Sequence, residues 1–136
     1  MISLTPVLPV LAAAVASWVF GAVWYGVLGT QWMEALGKRR EDMVGPSGRP
    51  SPTPFILSFF AEILMAWVLY GLMGHFGGPG LLPGIAAAVT IWMGFVATTQ
   101  LVNNAYALRP LWLTVIDAGH WLGVLLVQGV VLGLLG

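Results

Sequence analysis

The stretch LWLTVIDAGHWLGVLLVQGVVLGLL, residues 111–135, decides the fold, because it is apolar almost throughout and carries a single charged side chain, Asp117. At about 1.5 Å per residue such a run crosses a hydrocarbon core of about 30 Å. Three further runs share its character, at residues 4–28, 55–74 and 83–105. In lipid the backbone has no water to bond to, so each run is expected to be helical despite its Val, Ile and Gly content. Composition agrees. Of 136 residues, 59% are hydrophobic and 7% charged, too few charges to coat a water-soluble domain. The expectation is one all-α domain over residues 1–136, an integral membrane four-helix bundle.

The connections set the topology. Lys38, Arg39, Arg40 and Arg49 fall between the first and second runs and Arg109 between the third and fourth, so every basic residue lies on one side. The positive-inside rule makes that side cytoplasmic, with both termini and the connection 75–82 outside. Residues 31–44 place Trp32, Leu36 and Met43 on one helical face, and Glu34 and Lys38 can pair, which predicts a short interfacial helix on the inner membrane surface. The segment 45–54, rich in Pro, Gly and Ser, reads as a loop that turns the chain back. Thr53-Pro54 reads as a cap followed by proline at the first helical position. Ala14-Val15-Ala16 has the look of a signal-peptide cleavage site, but no basic segment precedes it. The first run is therefore expected to stay attached.

Several function classes are excluded by residue type. Five Lys and Arg balance five Asp and Glu, so no basic field draws nucleic acid. Without cysteine there is no disulfide framework and no thiolate ligand or nucleophile. No Gly-x-Ser-x-Gly, His-Glu-x-x-His or phosphate-cradling glycine loop is present, so no enzymatic activity and no cofactor is expected. Asp117-x-x-His120 has a spacing used in carboxylate-bridged metal bundles, yet those sites need a second such motif, so no metal is assigned.

The informative groups are those that do not belong in lipid. A charge near the middle of a membrane helix costs about 2.5–3.5 kcal/mol on insertion scales. Glu62 lies about 10 Å inward from Phe55, and Asp117 about 9 Å inward from Leu111. Thr99 stands about 9 Å from Ala105 on the third run, with Gln100 and Asn103 on the same arc. His120 shares a face with Asp117, and Gln128 lies almost in line with them. These positions predict one polar layer of Glu62, Thr99, Gln100, Asn103, Asp117 and His120. A buried acid beside an imidazole is what a proton or cation relay requires. The same groups could equally hydrogen-bond across helices as structural glue, with Asp117 pairing to His120 or Arg109. Ala13, Ser17 and Gly21, Gly119 with Gly123, and Gly129 with Gly133 recur at every fourth residue, spacing that serves close helix packing within the bundle or between copies. Trp24, Tyr25, Trp32, Tyr106 and Trp112 fall at the expected cytoplasmic interface, where amphipathic rings are favoured.

Gly21-Ala22-Val23-Trp24-Tyr25, Gln31-Trp32-Met33, Gly94-Phe95-Val96-Ala97 and Arg109-Pro110-Leu111 leading to Ile116-Asp117-Ala118-Gly119 resemble, in order and spacing, the bacterial membrane family known as domain of unknown function 1761. The resemblance covers essentially the whole chain and implies four helices in a bacterial inner membrane. It implies no activity, and it directs attention to Trp24, Tyr25, Trp32, Asn103, Arg109 and Asp117. In the family pattern an aromatic residue, often tyrosine, follows the Asp-x-Gly glycine, and a tryptophan often stands at the end. Here His120 and Gly136 stand there, which makes any role of His120 particular to this chain.

Two functions are carried forward. The leading one is a small homo-oligomeric channel or transporter for protons or small cations. The alternative is a non-catalytic accessory subunit packed against a larger membrane complex, such as a redox or photosynthetic assembly. In both, the lipid bilayer is the surrounding partner.

Overall fold

A computed structural model describes residues 6–136. Among them four long helices alternate in direction: α1 (Val7–Leu36), α2 (Thr53–Met73), α3 (Leu81–Tyr106) and α4 (Leu111–Leu135). Each is long and apolar enough to cross a membrane, and no strand is present among the described residues. Residues 4 and 5 of the first expected run lie outside the described residues.

The 30 residues of α1 extend about 45 Å, beyond a hydrocarbon core of about 30 Å. Its last turns absorb residues 31–36, so the separate interfacial helix expected over 31–44 is not formed. Gln31 to Leu36 are good helix formers that give the chain no reason to stop. Gly37 does stop it, at φ 70°, where glycine pays no Cβ penalty. The Gly37 and Lys38 amides donate to the Glu34 and Met33 carbonyls at 3.1 and 2.9 Å, closing the helix end. A short 3₁₀ turn, Arg40–Met43, follows. Its start is tied by the Arg39 amide donating to Asp42 Oδ2 at 2.9 Å. At the start of α2 the expected cap is displaced by one residue, to Pro52, and Pro54 becomes the second helical residue. Thr53 already lies in the helix, and its amide donates to Ser51 Oγ at 3.3 Å.

The middle of α3 holds the main departure from expectation. Leu81–Ile91 and Thr98–Tyr106 are α-helical, but Trp92–Ala97 between them is π-helical. Bonds to the fifth residue loosen the ladder, and Thr side chains bond to the carbonyls there. Thr98 Oγ1 donates to Gly94 O at 3.0 Å and Thr99 Oγ1 to Phe95 O at 2.6 Å, a way of satisfying backbone groups at membrane depth.

The central helix is α4, with α1 and α3 packed along it and α2 closing the bundle. Ala13, Ala14, Ala66, Leu69, Ala87, Ala88, Val124, Leu125 and Leu132 form its interior. Glycines set the spacing. A β-carbon on Gly84 would collide with the Gly129 carbonyl oxygen, and one on Gly133 would stand 2.5 Å from Gly80 O, so α3 and α4 touch backbone to backbone. Between α1 and α4 three glycines instead receive a ring. Gly123 faces Phe20, Gly119 faces Trp24 and Gly21 faces His120. The small residues singled out in the sequence are therefore used inside one chain. Every basic residue is exposed in the connections at one end of the bundle.

Candidate functional site

Ser17, Gly21, Trp24 and Tyr25 follow one another on α1 at helical spacing, so one face of α1 meets α4 from its middle to the loop-bearing end. There the Tyr25 hydroxyl donates to Asp117 Oδ1 at 2.6 Å. The carbonyls on either side of Asp117 are also engaged. Trp24 Nε1, from α1, donates to Ile116 O at 3.1 Å, and Trp92 Nε1, from the π-helical segment of α3, donates to Ala118 O at 2.7 Å. Trp32 packs edge-on against Tyr25 with ring centroids 5.7 Å apart. Its indole faces the Asp117 carboxyl without closing a hydrogen bond. The acid is thus held by aromatic side chains, with neither His120 nor Arg109 as its partner.

A second polar group lies deeper, where α1, α2 and α4 meet. Gln128 Nε2 donates to Ser17 Oγ at 3.1 Å and to the Glu62 carbonyl oxygen at 3.0 Å. Ser17 in turn donates to Ala14 O at 3.1 Å. Ser58, one turn before Glu62, donates to Glu62 Oε2 at 2.8 Å. Glu62 is 1% exposed. Its Oε1 has no partner, and neither has Oε1 of Gln128. Unsatisfied buried acceptors cost about 1–3 kcal/mol each, so two at one junction single it out.

His120 lies between the two groups. Its ring is 4.8 Å from that of Tyr25 and 4.6 Å from that of Trp121. Its Nδ1 is buried without a partner, and its Nε2 edge is turned toward Gly21, where a β-carbon would stand 2.7 Å away. Tyr25, Ser58 and His120, with Trp18, Phe55 and Trp121, line a cavity of about 240 Å³ among α1, α2 and α4. Ser58 touches both features, holding Glu62 and facing the cavity.

The α3 contribution differs from the expected one. Thr99 and Asn103 are exposed, and Gln100 is half-buried with Oε1 unpartnered. Asn104 is the residue that reaches α4, with Nδ2 donating to Thr114 Oγ1 at 3.0 Å. A π turn takes up extra chain, and one residue more turns the later part of a helix by about 100°, moving the inward face from 103 to 104. Arg109 is exposed in the connection before α4. Ser58 was missed, although its place four positions before Glu62 on one helix was a signal for the contact. Tyr25 as the partner of Asp117, and Trp92 and Asn104 as bonds to α4, had no sequence signal. Among the described residues no three His, Asp or Glu side chains gather as metal ligands.

The model of a family described as "Protein of unknown function (DUF1761)" matches residues 8–133. No curated protein and no solved structure matches the chain.

Proposed function

We propose, for a chain that belongs to the DUF1761 family of proteins of unknown function, that it moves protons or another small cation across a bacterial inner membrane as a homo-oligomer. The observation that carries this reading is the fully buried Glu62, held through one oxygen by Ser58 and bare at the other. A carboxyl group in that position is a functional-site hypothesis by default. Tyr25 and Asp117 form the loop-end station, His120 and Ser58 line the cavity that follows, and Glu62 is the deepest station. Thr99 and Asn103 have no part in this path.

Positive-inside topology makes the loop-bearing end cytoplasmic and leaves the termini outside. Ions would then enter from the cytoplasmic half. Beyond Glu62 the interior is the apolar packing of Ala66, Leu69, Met73, Leu125 and Leu132. A single protomer therefore favours exchange with one side, and complete transport requires this packing to open or a second protomer to continue the path. The half-buried end of α1, residues 31–36, and the 3₁₀ turn 40–43 would rest at the inner surface in place of a separate interfacial helix.

The test is ion flux in liposomes containing the purified chain. Glu62→Gln removes the central exchanging group and is expected to abolish flux, and Asp117→Asn to slow it at least tenfold. Flux unchanged in both variants overturns the proposal. Extraction in mild detergent with mass measurement separates this reading from the accessory-subunit alternative. A homo-oligomer is expected; a stoichiometric complex with other membrane proteins supports the alternative.

A further inference from the structure

We infer that the cleft between the last turns of α1 and the loop 40–50 holds the phosphate headgroup of an anionic phospholipid. The cleft has a volume of about 780 Å³, within the range of about 300–1,000 Å³ common to ligand sites. Helix α1 contributes Gly26, Gly29 and Met33, and the loop contributes Arg40, Met43 and Val44. The loop is held folded by its own backbone, with the Gly48 amide donating to Gly45 O at 3.0 Å and the Gly45 amide to Arg49 O at 3.3 Å. On the α1 side nothing lies within 4 Å of a β-carbon at Gly26 or Gly29, so bare backbone is open to a ligand.

The charge of the cleft argues for a phosphate. Arg40 is the one charged residue among its walls, while Glu34, Glu41 and Asp42 lie outside them. Asp42 Oδ2 already accepts the Arg39 amide. An exposed guanidinium beside a cleft without a carboxylate presents donors in the fork geometry that fits a phosphate. A zwitterionic headgroup would set an ammonium near Arg40 with no wall carboxylate to receive it, which favours the anionic class. Lys38, Arg39 and Arg49 add only a diffuse attraction to anionic lipid.

The depth of the cleft argues for a lipid. Tyr25 lines its inner end and is bonded to Asp117, about 9 Å below the start of α4. Helix α1 continues from Tyr25 to Leu36, about 16 Å, so its end stands beyond the first residue of α4. The cleft therefore crosses the boundary between hydrocarbon and headgroups, where rings such as those of Tyr25 and Trp32 are favoured. Gly26 and Thr30 form its exposed edge, beside Val23 and Val27, which are 59% and 71% exposed. Acyl chains can leave along this apolar flank while the phosphate stays at Arg40. The proposal requires the chain to lie in a bilayer and is independent of ion transport, because binding is read without a gradient.

The test uses the purified full chain, delipidated in micelles, titrated with dioleoyl phosphatidylglycerol or dioleoyl phosphatidylcholine and read by native mass spectrometry. One phosphatidylglycerol per chain is expected to bind about tenfold more tightly than the first phosphatidylcholine. Arg40→Gln is expected to weaken it about tenfold, the value of one charge-assisted hydrogen bond. Arg49→Gln removes the same charge from the same loop but outside the cleft walls, and is expected to leave binding unchanged. Gly29→Phe fills the cleft from α1 and is expected to abolish the tight adduct with the unfolding transition unmoved. Equal binding of the two lipids, equal weakening by Arg40→Gln and Arg49→Gln, or an unchanged adduct in Gly29→Phe overturns the site. Full displacement by excess inorganic phosphate overturns the lipid as its occupant. Tight phosphatidylglycerol binding in a protein without ion flux retains the site and removes the transport reading.

Discussion

Gly84→Ala tests the packing on which the polar groups depend. An ideal β-carbon at residue 84 overlaps the Gly129 carbonyl oxygen and stands 2.8 Å from its carbonyl carbon and 3.2 Å from its Cα. Carbon atoms in contact prefer about 3.5–4.0 Å, so α3 and α4 must separate by about 1 Å. The obstacle is backbone, which cannot rotate aside as a side chain can. Overpacking costs about 1–3 kcal/mol, and the rigid obstacle sets the value near the upper end. Alanine regains about 1 kcal/mol of helix propensity, leaving a net loss of about 2 kcal/mol, or about thirtyfold in the folded-to-unfolded ratio. Gly26→Ala is the control, since nothing lies within 4 Å of a β-carbon there. It is expected to be neutral or stabilising. The assay is equilibrium unfolding in mixed micelles, followed by tryptophan fluorescence. If Gly84→Ala unfolds at the same denaturant fraction as wild type and Gly26→Ala, the close approach of α3 and α4 is wrong. Adding Gly129→Ala to Gly84→Ala should cost less than Gly129→Ala alone, because both require the same separation.

Tyr25→Phe and Asp117→Asn should each destabilise, and their double-mutant cycle should show a coupling of about 1–2 kcal/mol for the 2.6 Å bond; zero coupling by the same unfolding assay refutes it. Gln128→Leu loses two interhelical bonds of about 0.6 kcal/mol each but also removes the unpartnered buried Oε1, worth about 1–3 kcal/mol, so it should be neutral or stabilising by about 1 kcal/mol; a loss above about 1 kcal/mol would show that Oε1 is satisfied. The chain has no cysteine, so Ser47→Cys and His75→Cys are single reporters of topology. An impermeant maleimide added to intact cells should label the His75→Cys variant and spare the Ser47→Cys variant; the reverse pattern inverts the orientation.

The four helices were legible because hydropathy alone specifies them. An apolar run in lipid must satisfy its backbone internally, whatever its helix propensity. The ends were less legible. The expected break before residue 31 rested on amphipathic spacing, while the local chain from Gln31 to Leu36 favoured continuing and only Gly37 ended the helix. The small-residue spacings were visible, but whether they served one chain or two was not, since spacing identifies a face and not its occupant. Pairing in the structure gave Gly84 to Gly129 and Gly21 to His120.

The candidate site divides in the same way. Glu62, Asp117 and His120 stood out because ionisable side chains in apolar runs are costly. Their partners did not, since Tyr25 is 92 positions from Asp117, and Glu62 is 66 from Gln128. Nor did the π-helical turn over Trp92–Ala97, which exchanged Asn104 for Asn103 on the inward face. Hydropathy along the chain is enough to specify apolar helices with a few buried polar groups, because it is a local property that survives any arrangement of the helices. Which groups meet and which face outward follows from the packing of the four helices, because helix rotation and interhelical register depend on contacts between residues far apart in the chain.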